Sequence, residues 1–308
     1  MKRIIAAILT LLLLTACSGE SEKGKADGIS VDNYGRTVTV SKAPEKVLTL
    51  GPNCTELFAA LGLSDKVIGR SLVNHSRGPL PEYADAVNSV LQLNYAEATR
   101  EAILTSGADF IYAIDWEISD SGCNIEEAES YGMNVYVNSA TTLDEQYKEI
   151  LDIGKLFGIE DVAESFVEDQ KARISAVADK VSGKEPLKVL VYDSGNNGVF
   201  TCSGENFETR LIECAGGKNI FDDMNDKQWI TVSYEEVLKR APDIILIHDY
   251  DSPSYEEKVA EIKANPSLSQ LECVKNNRFA KITLESVLPG NRMAYATESM
   301  YEQFYPEG

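Results

Sequence analysis

The chain has 308 residues, of which 44% are hydrophobic, and this length allows either two lobes or one large domain. Its 49 acidic and 29 basic residues give a formal net charge of -20, which argues against nucleic acid as a partner because phosphate binding needs a basic face. The same charge disfavours adhesion to anionic lipid, and the apolar fraction is too low for a membrane bundle.

The amino terminus has the pattern of a secretion signal followed by a lipidation site. Two basic residues precede an apolar run from Ile4 to Leu14, which is too short to span a bilayer. The following "LTAC" resembles a bacterial lipobox, which implies that Cys17 carries acyl chains such as palmitate after cleavage. An ordinary signal peptide with an incidental cysteine is the alternative. We assign residues 1–16 to the signal peptide and residues 17–28 to a lipidated polar tether.

Helix and strand patterns alternate after the tether, over residues 29–141, which we assign to an N-terminal α/β lobe. The alternation in "ISVDNYGRTVTV" predicts a hairpin around Tyr34 and Gly35, and "KVLTL" predicts a buried strand. Three helix-strand units follow, namely "CTELFAALGLSDKVIG", "TREAILTSGADFIYAI" and "IEEAESYGMNVYVN". This order predicts a parallel sheet covered by helices.

A purely helical segment comes next, over residues 142–183. Apolar residues recur there at helical spacing among charged residues, and no strand pattern interrupts them. Gly158 divides the segment into two predicted helices, and the second would span roughly 30 Å at about 1.5 Å per residue. That length is enough to bridge two lobes.

The first pattern restarts in residues 184–308, which we assign to a C-terminal α/β lobe. "KVLVY" repeats "KVLTL", "ETRLIECAGGKNIF" repeats the first helix-strand unit, and "YEEVLKRAPDIILIHD" repeats "REAILTSGADFIYAID". The last pair aligns Glu101 with Glu235 and Asp109 with Asp243. Chance similarity among βα units is the alternative, but three repeats in one order favour a pseudo-duplication. The sequence therefore predicts an α/β fold with two Rossmann-like lobes, mainly parallel sheets and a long bridging helix.

Loops at the predicted strand ends provide the first candidates for a binding site. In open α/β sheets ligands bind beyond the carboxyl ends of the strands, so two facing lobes would enclose a cleft. The loops "GPNC", "DWE", "DSGNNG" and "HDYD" occupy these ends. They supply the candidate ligand-binding residues Asn53, Cys54, Trp116, Ser194, Asp249 and Tyr250, with a solvated loop as the alternative.

Taken in order, these motifs resemble the class III solute-binding proteins of bacterial ABC importers, which handle iron-siderophore, haem and cobalamin complexes. The resemblance runs from about Val38 to Pro306 and includes "WITVSYEEVLKRAPDIILI" and "LPGNRMAYATESM". It implies the class III periplasmic-binding-protein fold, with a stiff bridging helix, and a monomeric carrier. It also implies that the chain is no enzyme, holds no cofactor besides its metal-chelate ligand, and delivers that ligand to an ABC permease homodimer with a cytoplasmic ATPase.

The resemblance gives the two aligned glutamates a role. In relatives, one glutamate at the tip of each lobe binds arginines of the permease subunits, which implies permease docking by Glu101 and Glu235. Carboxylate-guanidinium pairs can be bidentate, so they fix orientation as well as attraction. The alternative is that each glutamate only compensates a helix dipole, because Thr99 and Ser233 are predicted N-caps.

The resemblance also suggests side chains for the cleft. Trp229 stands where relatives often place an aromatic residue against a flat ligand, and Phe200 and Trp116 are candidates for further walls. The alternative is that one or two of these aromatic residues belong to the core. Arg292 matches a position at which siderophore binders direct an arginine toward an anionic ligand.

Histidine is scarce, which bears on metal binding. The chain has only His75 and His248, whereas a site for bare zinc or manganese collects several histidine and carboxylate ligands. We therefore predict no metal site built by the protein alone, and a zinc or manganese carrier is an alternative. A haem carrier would need an axial ligand, for which His75, Tyr250 or Met293 could serve, with no spacing to favour one.

Other readings of the sequence differ in what the protein does with its ligand. No motif for nucleophilic, metallohydrolase, phosphate-binding or dinucleotide chemistry is present, which argues against an enzyme. A sensory lipoprotein that binds without transporting is a further alternative. For a transport carrier, the serine after Cys17 favours the outer face of the cytoplasmic membrane in a single-membrane bacterium, since in a two-membrane one it would direct the chain to the outer membrane. A periplasmic location is the alternative.

The remaining cysteines give no disulfide pattern. They are odd in number and lack metal-type spacing, so the sequence assigns no pairing and buried thiols are expected for most of them. They are Cys54, Cys123, Cys202, Cys214 and Cys273.

Overall fold

Two four-stranded parallel sheets form the framework of the chain, which a computed structural model describes over residues 28–195 and 197–306. The predicted signal peptide and the lipidation site at Cys17 lie outside these described residues. Within the described ranges, no helix is both long enough and apolar enough to cross a membrane.

The hairpin and the first parallel sheet occupy the N-terminal part. The hairpin turns at Tyr34 and Gly35, whose φ angles of 52° and 70° match the left-handed pair of a tight hairpin turn. The sheet has the strand order β4-β3-β5-β6. The elements are β1 (Ile29–Asn33), β2 (Arg36–Val40), β3 (Val47–Leu50), α1 (Cys54–Ala60), β4 (Val67–Ser71), α2 (Ala84–Ser89), α3 (Arg100–Thr105), β5 (Phe110–Ile114), α4 (Ile125–Ser130) and β6 (Asn134–Asn138).

Two long helices follow, α5 (Leu143–Phe157) and α6 (Glu160–Val181). Thr142 and Glu145 form a capping box that starts α5. Gly158 ends the helix in the left-handed conformation, with φ at 69°, which a residue with a side chain rarely adopts. The prediction that Gly158 separates two helices is confirmed.

The second parallel sheet and a small antiparallel sheet occupy the C-terminal part. The parallel sheet has the order β10-β7-β12-β13, and the antiparallel sheet has the order β11-β9-β8. The elements are β7 (Leu187–Tyr192), β8 (Ser194–Gly195), β9 (Val199–Cys202), α7 (Phe207–Cys214), β10 (Gly217–Asn219), β11 (Trp229–Val232), α8 (Tyr234–Arg240), β12 (Ile244–Asp249), α9 (Tyr255–Ala264), α10 (Glu272–Lys275), β13 (Phe279–Thr283), α11 (Leu284–Val287) and α12 (Met293–Phe304).

The two parallel sheets have the same topology. In each, the first strand lies between the second and the third in chain order, and the fourth lies outside the third. The aligned aspartates make the same contacts: the Lys46 amide donates to the Asp109 carboxylate at 2.9 Å, and the Lys188 amide donates to that of Asp243 at 2.8 Å. The predicted α/β fold with two similar parallel-sheet units is confirmed. The exact lobe boundaries stay a prediction, although the strands of the two sheets fall before residue 142 and after residue 184.

One hydrophobic core runs through both units. Alternate residues of a strand face opposite sides of its sheet, so Val189 and Val191 of β7 face this shared core, whereas Leu190 and Tyr192 face a separate cluster. The shared core joins one face of each sheet to buried residues of the two long helices and of α12. The second face of each sheet is covered by helices of its own unit.

The five cysteines from Cys54 onward are thiols in the structure, and all but Cys214 are buried. Burial raises the pKa of each thiol, with neighbouring acidic groups adding to the effect at Cys54 and Cys123. Such thiols behave as small apolar core residues.

Candidate functional site

A cavity of about 510 Å³ opens between the two parallel-sheet units. Trp116 follows β5 of the first unit, while Asp193, Tyr250 and Leu284 follow β7, β12 and β13 of the second. The cavity therefore lies at the carboxyl ends of strands from both sheets, as the topology predicts. Its lining residues are His75, Trp116, Asp193, Ser194, Phe200, Trp229, Tyr250, Pro253, Lys258 and Leu284.

Aromatic rings make up the wall of this cavity. Phe200 on β9 and Trp229 on β11 lie on adjacent antiparallel strands, and their rings stack with centroids 5.6 Å apart and planes inclined by 21°. Phe200 is 37% exposed and Trp116, on the opposite unit, is 41% exposed. Exposed rings of this size at one cavity offer stacking surfaces to a flat ligand.

The wall rests on a buried polar cluster around His248. One ring nitrogen of His248 lies 3.0 Å from the Asp193 carboxylate, and the other lies 3.1 Å from the Glu208 carboxylate. Burial alone would lower the pKa of His248, but the charge of Glu208 and the hydrogen bond with Asp193 outweigh it and raise this pKa to about 9. Burial alone would raise the pKa of Asp193, but the hydrogen bond and charge of His248, together with the Tyr250 hydroxyl and the charge of Lys258, outweigh it and lower the pKa of that carboxyl to about 2.

Two of the cavity-lining residues complete this cluster. The Tyr250 hydroxyl donates to Asp193, and the Lys258 ammonium donates to the His248 carbonyl oxygen at 2.8 Å while lying over the Tyr250 ring. Burial lowers the pKa of Lys258 to about 8. The buried cluster beneath the aromatic wall therefore places two basic side chains, His248 and Lys258, beside two acidic ones, Asp193 and Glu208.

A loop of the first unit, residues 72–78, contributes His75 to the lining of the cavity, and we call it the strap loop. The His75 amide donates to the Asp251 carboxylate at 3.2 Å, and the Tyr95 hydroxyl donates to the same carboxylate. The Arg77 guanidinium lies 3.3 Å from the Asp249 carboxylate. These contacts tie the strap loop to the second unit at the edge of the cavity.

Four predicted ligand-binding residues are not among the lining residues of this cavity, and their role stays a prediction. Asn53 is buried and donates to Asn138 at 2.9 Å and to the Pro289 carbonyl at 2.6 Å. The Cys54 thiol is fully buried against the Leu50 carbonyl, and Asp249 is buried between Arg77 and the amide of Tyr255. The Arg292 guanidinium is buried against the Glu56 carboxylate at 2.8 Å and lines a separate cavity of about 280 Å³.

The structure brings the other five predicted residues together, namely Trp116, Ser194, Phe200, Trp229 and Tyr250. Sequence reasoning missed Asp193, Pro253, Lys258 and Leu284 as cavity residues. Asp193 directly follows a predicted strand, so its position alone was a usable signal. Lys258 is a helical lysine that is fully buried, and no sequence pattern distinguishes it from the exposed lysines of the same chain.

The two aligned glutamates occupy equivalent exposed positions. Glu101 and Glu235 are each the second residue of a helix, after Thr99 and Ser233, whose hydroxyls accept the amide of the third helical residue at 3.2 Å. Each helix leads into a strand of its sheet, so its amino end lies at the carboxyl ends of the strands, the edge that carries the cavity. In the described part of the chain, neither carboxylate has a hydrogen-bonding or ion-pair partner.

The described residues offer no arrangement of three or more His, Cys, Asp or Glu side chains that could hold a metal ion. His75 is exposed in the strap loop, and His248 is enclosed by the two carboxylates.

Comparison with known proteins agrees with this geometry. A family model described as periplasmic binding protein matches residues 47–284. The chain is 25% identical to the ABC transporter substrate-binding lipoprotein YvrC of Bacillus subtilis, over 98% of this chain and 96% of that one. It is 24% identical to a vitamin B12-binding protein of Vibrio vulnificus, over 87% and 93% of the two chains. These relatives are solute-binding proteins and not enzymes.

Solved structures share the fold. A periplasmic binding protein from Veillonella parvula superposes with a TM-score of 0.80 at 24% identity, covering 90% of this chain and 97% of that one. A protein of the Fe3+-hydroxamate transport system of Saccharomonospora viridis superposes with a TM-score of 0.75 at 24% identity, covering 90% and 99%. The class III solute-binding fold expected from the sequence is therefore confirmed.

Proposed function

The chain belongs to the periplasmic binding protein family, as an extracytoplasmic substrate-binding protein of an ABC importer, and on that premise we propose that it carries a flat metal-chelate complex, with a corrinoid as the preferred ligand. The ligand would bind in the cavity between the two units and pass to the permease and its ATPase unchanged. The observation that carries the proposal is the aromatic wall of Phe200, Trp229 and Trp116.

The charges at the cavity favour a corrinoid over haem and ferric catecholates. Lys258 is the one basic side chain other than His75 among the lining residues, and the buried Asp193 carboxylate lies beside it. Haem has two carboxylates, and ferric catecholates have a net negative charge, so both would need basic partners, whereas the Lys258 ammonium already donates to the His248 carbonyl oxygen and lies over the Tyr250 ring. A corrinoid presents neutral amides, and a relative of this chain is a vitamin B12-binding protein.

The experiment is a thermal-shift panel on the purified mature chain. The ligands are cyanocobalamin, haemin, a ferric hydroxamate, a ferric catecholate, zinc and manganese. A ligand present at about 100 times its dissociation constant stabilises the folded protein by about 2.7 kcal/mol, so a true ligand raises the melting temperature by several degrees. We expect the largest increase with cyanocobalamin.

Trp229→Ala provides the site test. Removal of the stacking ring should weaken cyanocobalamin binding on the order of 10-fold. Tyr131→Ala is the matched control, because Tyr131 is 63% exposed and does not line the cavity. A larger increase with zinc, manganese or the catecholate would contradict the proposal, as would equal binding by the two variants.

Two further parts of the proposal concern the membrane. We propose that Glu101 and Glu235 dock on basic pockets of a two-fold symmetric permease, which their exposure and equivalent positions support. We also propose that Cys17 is lipidated and holds the monomer at the outer face of the cytoplasmic membrane. Mass spectrometry of the mature protein from its host tests the anchor, because an unmodified amino terminus would contradict it.

A further inference from the structure

We propose that a second cavity, lined largely by the helix α6, binds an organic cation, namely a protonated amine with an apolar body. This α6 cavity has a volume of about 550 Å³, which is in the size range of small-molecule sites. It shares no lining residue with the cavity between the two units, so the inference is independent of the proposed function.

Three parts of the fold enclose the α6 cavity. The first unit contributes the segment between β4 and α2, with Glu82 and Tyr83. The first half of α6 contributes Asp161 and Phe166, and the first turns of α12 contribute Tyr295. A ligand in this cavity would therefore contact both units and the long helix between them.

The wall of the α6 cavity is acidic. It has the carboxylates of Glu82, Asp161 and Asp169 and one guanidinium, that of Arg173. Arg173 donates to both oxygens of Glu298, at 2.9 and 2.6 Å, and lies 3.6 Å from Asp169, so its charge is already balanced. The exposed carboxylates of Glu82 and Asp161 make no ion pair within the described ranges. A cationic group is complementary to this wall, and an anion is disfavoured.

Apolar and aromatic side chains line the same cavity. Val162 is 47% exposed, and the half-buried Phe166 follows it by one helical turn on the same face of α6. The Tyr295 ring is 41% exposed, and burial together with the charge of Glu82 raises the pKa of Tyr83. Aromatic faces attract ammonium groups, and apolar side chains cover the body of an amine.

Two buried amides provide an observation that does not depend on the charges. Gln170 is 2% exposed and Asn291 is 6% exposed, and both line the α6 cavity. The Asn291 amide nitrogen donates to Glu56 at 2.8 Å, whereas its amide oxygen accepts no hydrogen bond from the described part of the chain. Buried acceptors are normally paired, and an ammonium has three N–H donors to offer this oxygen.

Compensation of the helix dipole explains only one of these features. Asp161 is the second residue of α6, where an acidic side chain is favoured without any ligand. The dipole does not account for the Glu82 carboxylate, the exposed Tyr295 ring or the Asn291 oxygen. These groups come from separate segments and meet at one cavity.

The test uses three probes that share one apolar body, namely phenylbutylamine, phenylbutanol and phenylbutyrate. In calorimetric titrations of the purified mature chain, the amine should bind about 10-fold or more tightly than the alcohol, and the acid should not bind. Glu82→Gln with Asp161→Asn should bring the affinity for the amine close to that for the alcohol. Tyr295→Ala should weaken amine binding on the order of 10-fold.

Matched variants control for charge and for loss of a ring. Glu126→Gln with Glu256→Gln removes two exposed carboxylates from second helical positions, and Tyr131→Ala removes an exposed ring. None of these residues lines the α6 cavity, so both variants should bind the amine as the wild type does. Melting temperatures of the unliganded variants verify that each one folds.

Tryptophan fluorescence distinguishes the two cavities. The chain has two tryptophans, Trp116 and Trp229, and both line the cavity between the units. The amine should leave their fluorescence unchanged and should bind equally well with and without cyanocobalamin. Trp229→Ala should retain normal amine binding.

The outcomes separate this inference from the proposed function. Equal affinity for the amine and the alcohol, no amine binding at all, or unchanged binding in the Glu82, Asp161 and Tyr295 variants would overturn the inference. Competition between the amine and cyanocobalamin would place the amine in the cavity between the units and would overturn it as well. Failure of cyanocobalamin to bind would contradict only the proposed function.

Discussion

At the scale of single residues, the buried His248 cluster makes stability depend on pH. The pKa of His248 is raised to about 9 in the folded chain, above its ordinary value of 6.5. The folded protein therefore keeps a proton that the unfolded chain releases, and this stabilisation is complete below pH 6.5 and lost as the pH rises through about 9. The lowered pKa of Asp193 also stabilises the folded protein, and this contribution is lost only in acid, as the pH falls below 3.8 toward about 2.

We expect His248→Gln to remove this dependence. Between pH 7 and pH 8, the free energy of unfolding of the wild type should fall by about 1 kcal/mol per pH unit more than that of the variant. Urea denaturation at a series of pH values measures both slopes. Glu208→Gln should move the loss of stability to lower pH, because it removes the larger of the charges that raise the His248 pKa. Parallel slopes for wild type and His248→Gln would mean that His248 is neutral when folded.

The sequence could place a residue at the cavity where the residue's position follows from a strand end. Trp116 and Tyr250 directly follow predicted strands, and both line the cavity. The surroundings of Arg292 could not be predicted, because its partner, Glu56, lies 236 positions away in the chain, and only the folded structure shows that this carboxylate pairs with the guanidinium. Long-range pairing of charged residues leaves no local signature.

At the scale of elements, the helices α3 and α8 present equivalent glutamates at their amino ends. Charge reversal of both, Glu101→Lys with Glu235→Lys, should leave ligand binding intact and lower uptake of the ligand into cells by about 10-fold or more, since removal of each carboxylate-guanidinium pair at the permease costs on the order of 1–3 kcal/mol. Uptake of labelled ligand and binding by the purified variant are the two measurements.

The structure offers a matched control for this pair. Glu126 and Glu256 are also exposed second residues of helices, one in α4 and one in α9, so they carry the same charge at the same dipole position. The double variant Glu126→Lys with Glu256→Lys should keep normal uptake. Equal loss in the two double variants would point to a general effect of net charge, and normal uptake in both would favour a sensory role without transport.

Local sequence patterns predicted these elements well. The repeated helix-strand units, the hairpin and the break at Gly158 each depend on residues within about ten positions, and each is present in the structure. The small antiparallel sheet that carries Phe200 and Trp229 was not predicted. Its strands have only two to four residues, too few for a period to be recognised, and they pair across a long loop.

At the scale of the whole molecule, a buried ion pair joins the two units. Arg292 binds Glu56 of the first unit and lies 3.7 Å from Glu285, and all three side chains are at most 4% exposed. Arg292→Met should lower the free energy of unfolding by about 3 kcal/mol or more, because it leaves two buried carboxylates without their cationic partner.

The comparison pair is Arg173 with Glu298, which links α6 to α12 at the surface with side chains 39% and 37% exposed. Arg173→Met should cost less than about 1 kcal/mol, since solvent screens exposed pairs. Urea denaturation measures both variants. A cost for Arg292→Met as small as that for Arg173→Met would show that the buried pair contributes little net stability.

The continuous core through both sheets and the two long helices has a consequence for the transport cycle. A binding protein whose two units share one hydrophobic core has little freedom to move them apart. The hydrogen bond and the ion pair of the strap loop also hold the two units together at the edge of the cavity. Spontaneous escape of cargo should therefore be slow. Release of the ligand would then depend on the permease and its ATPase.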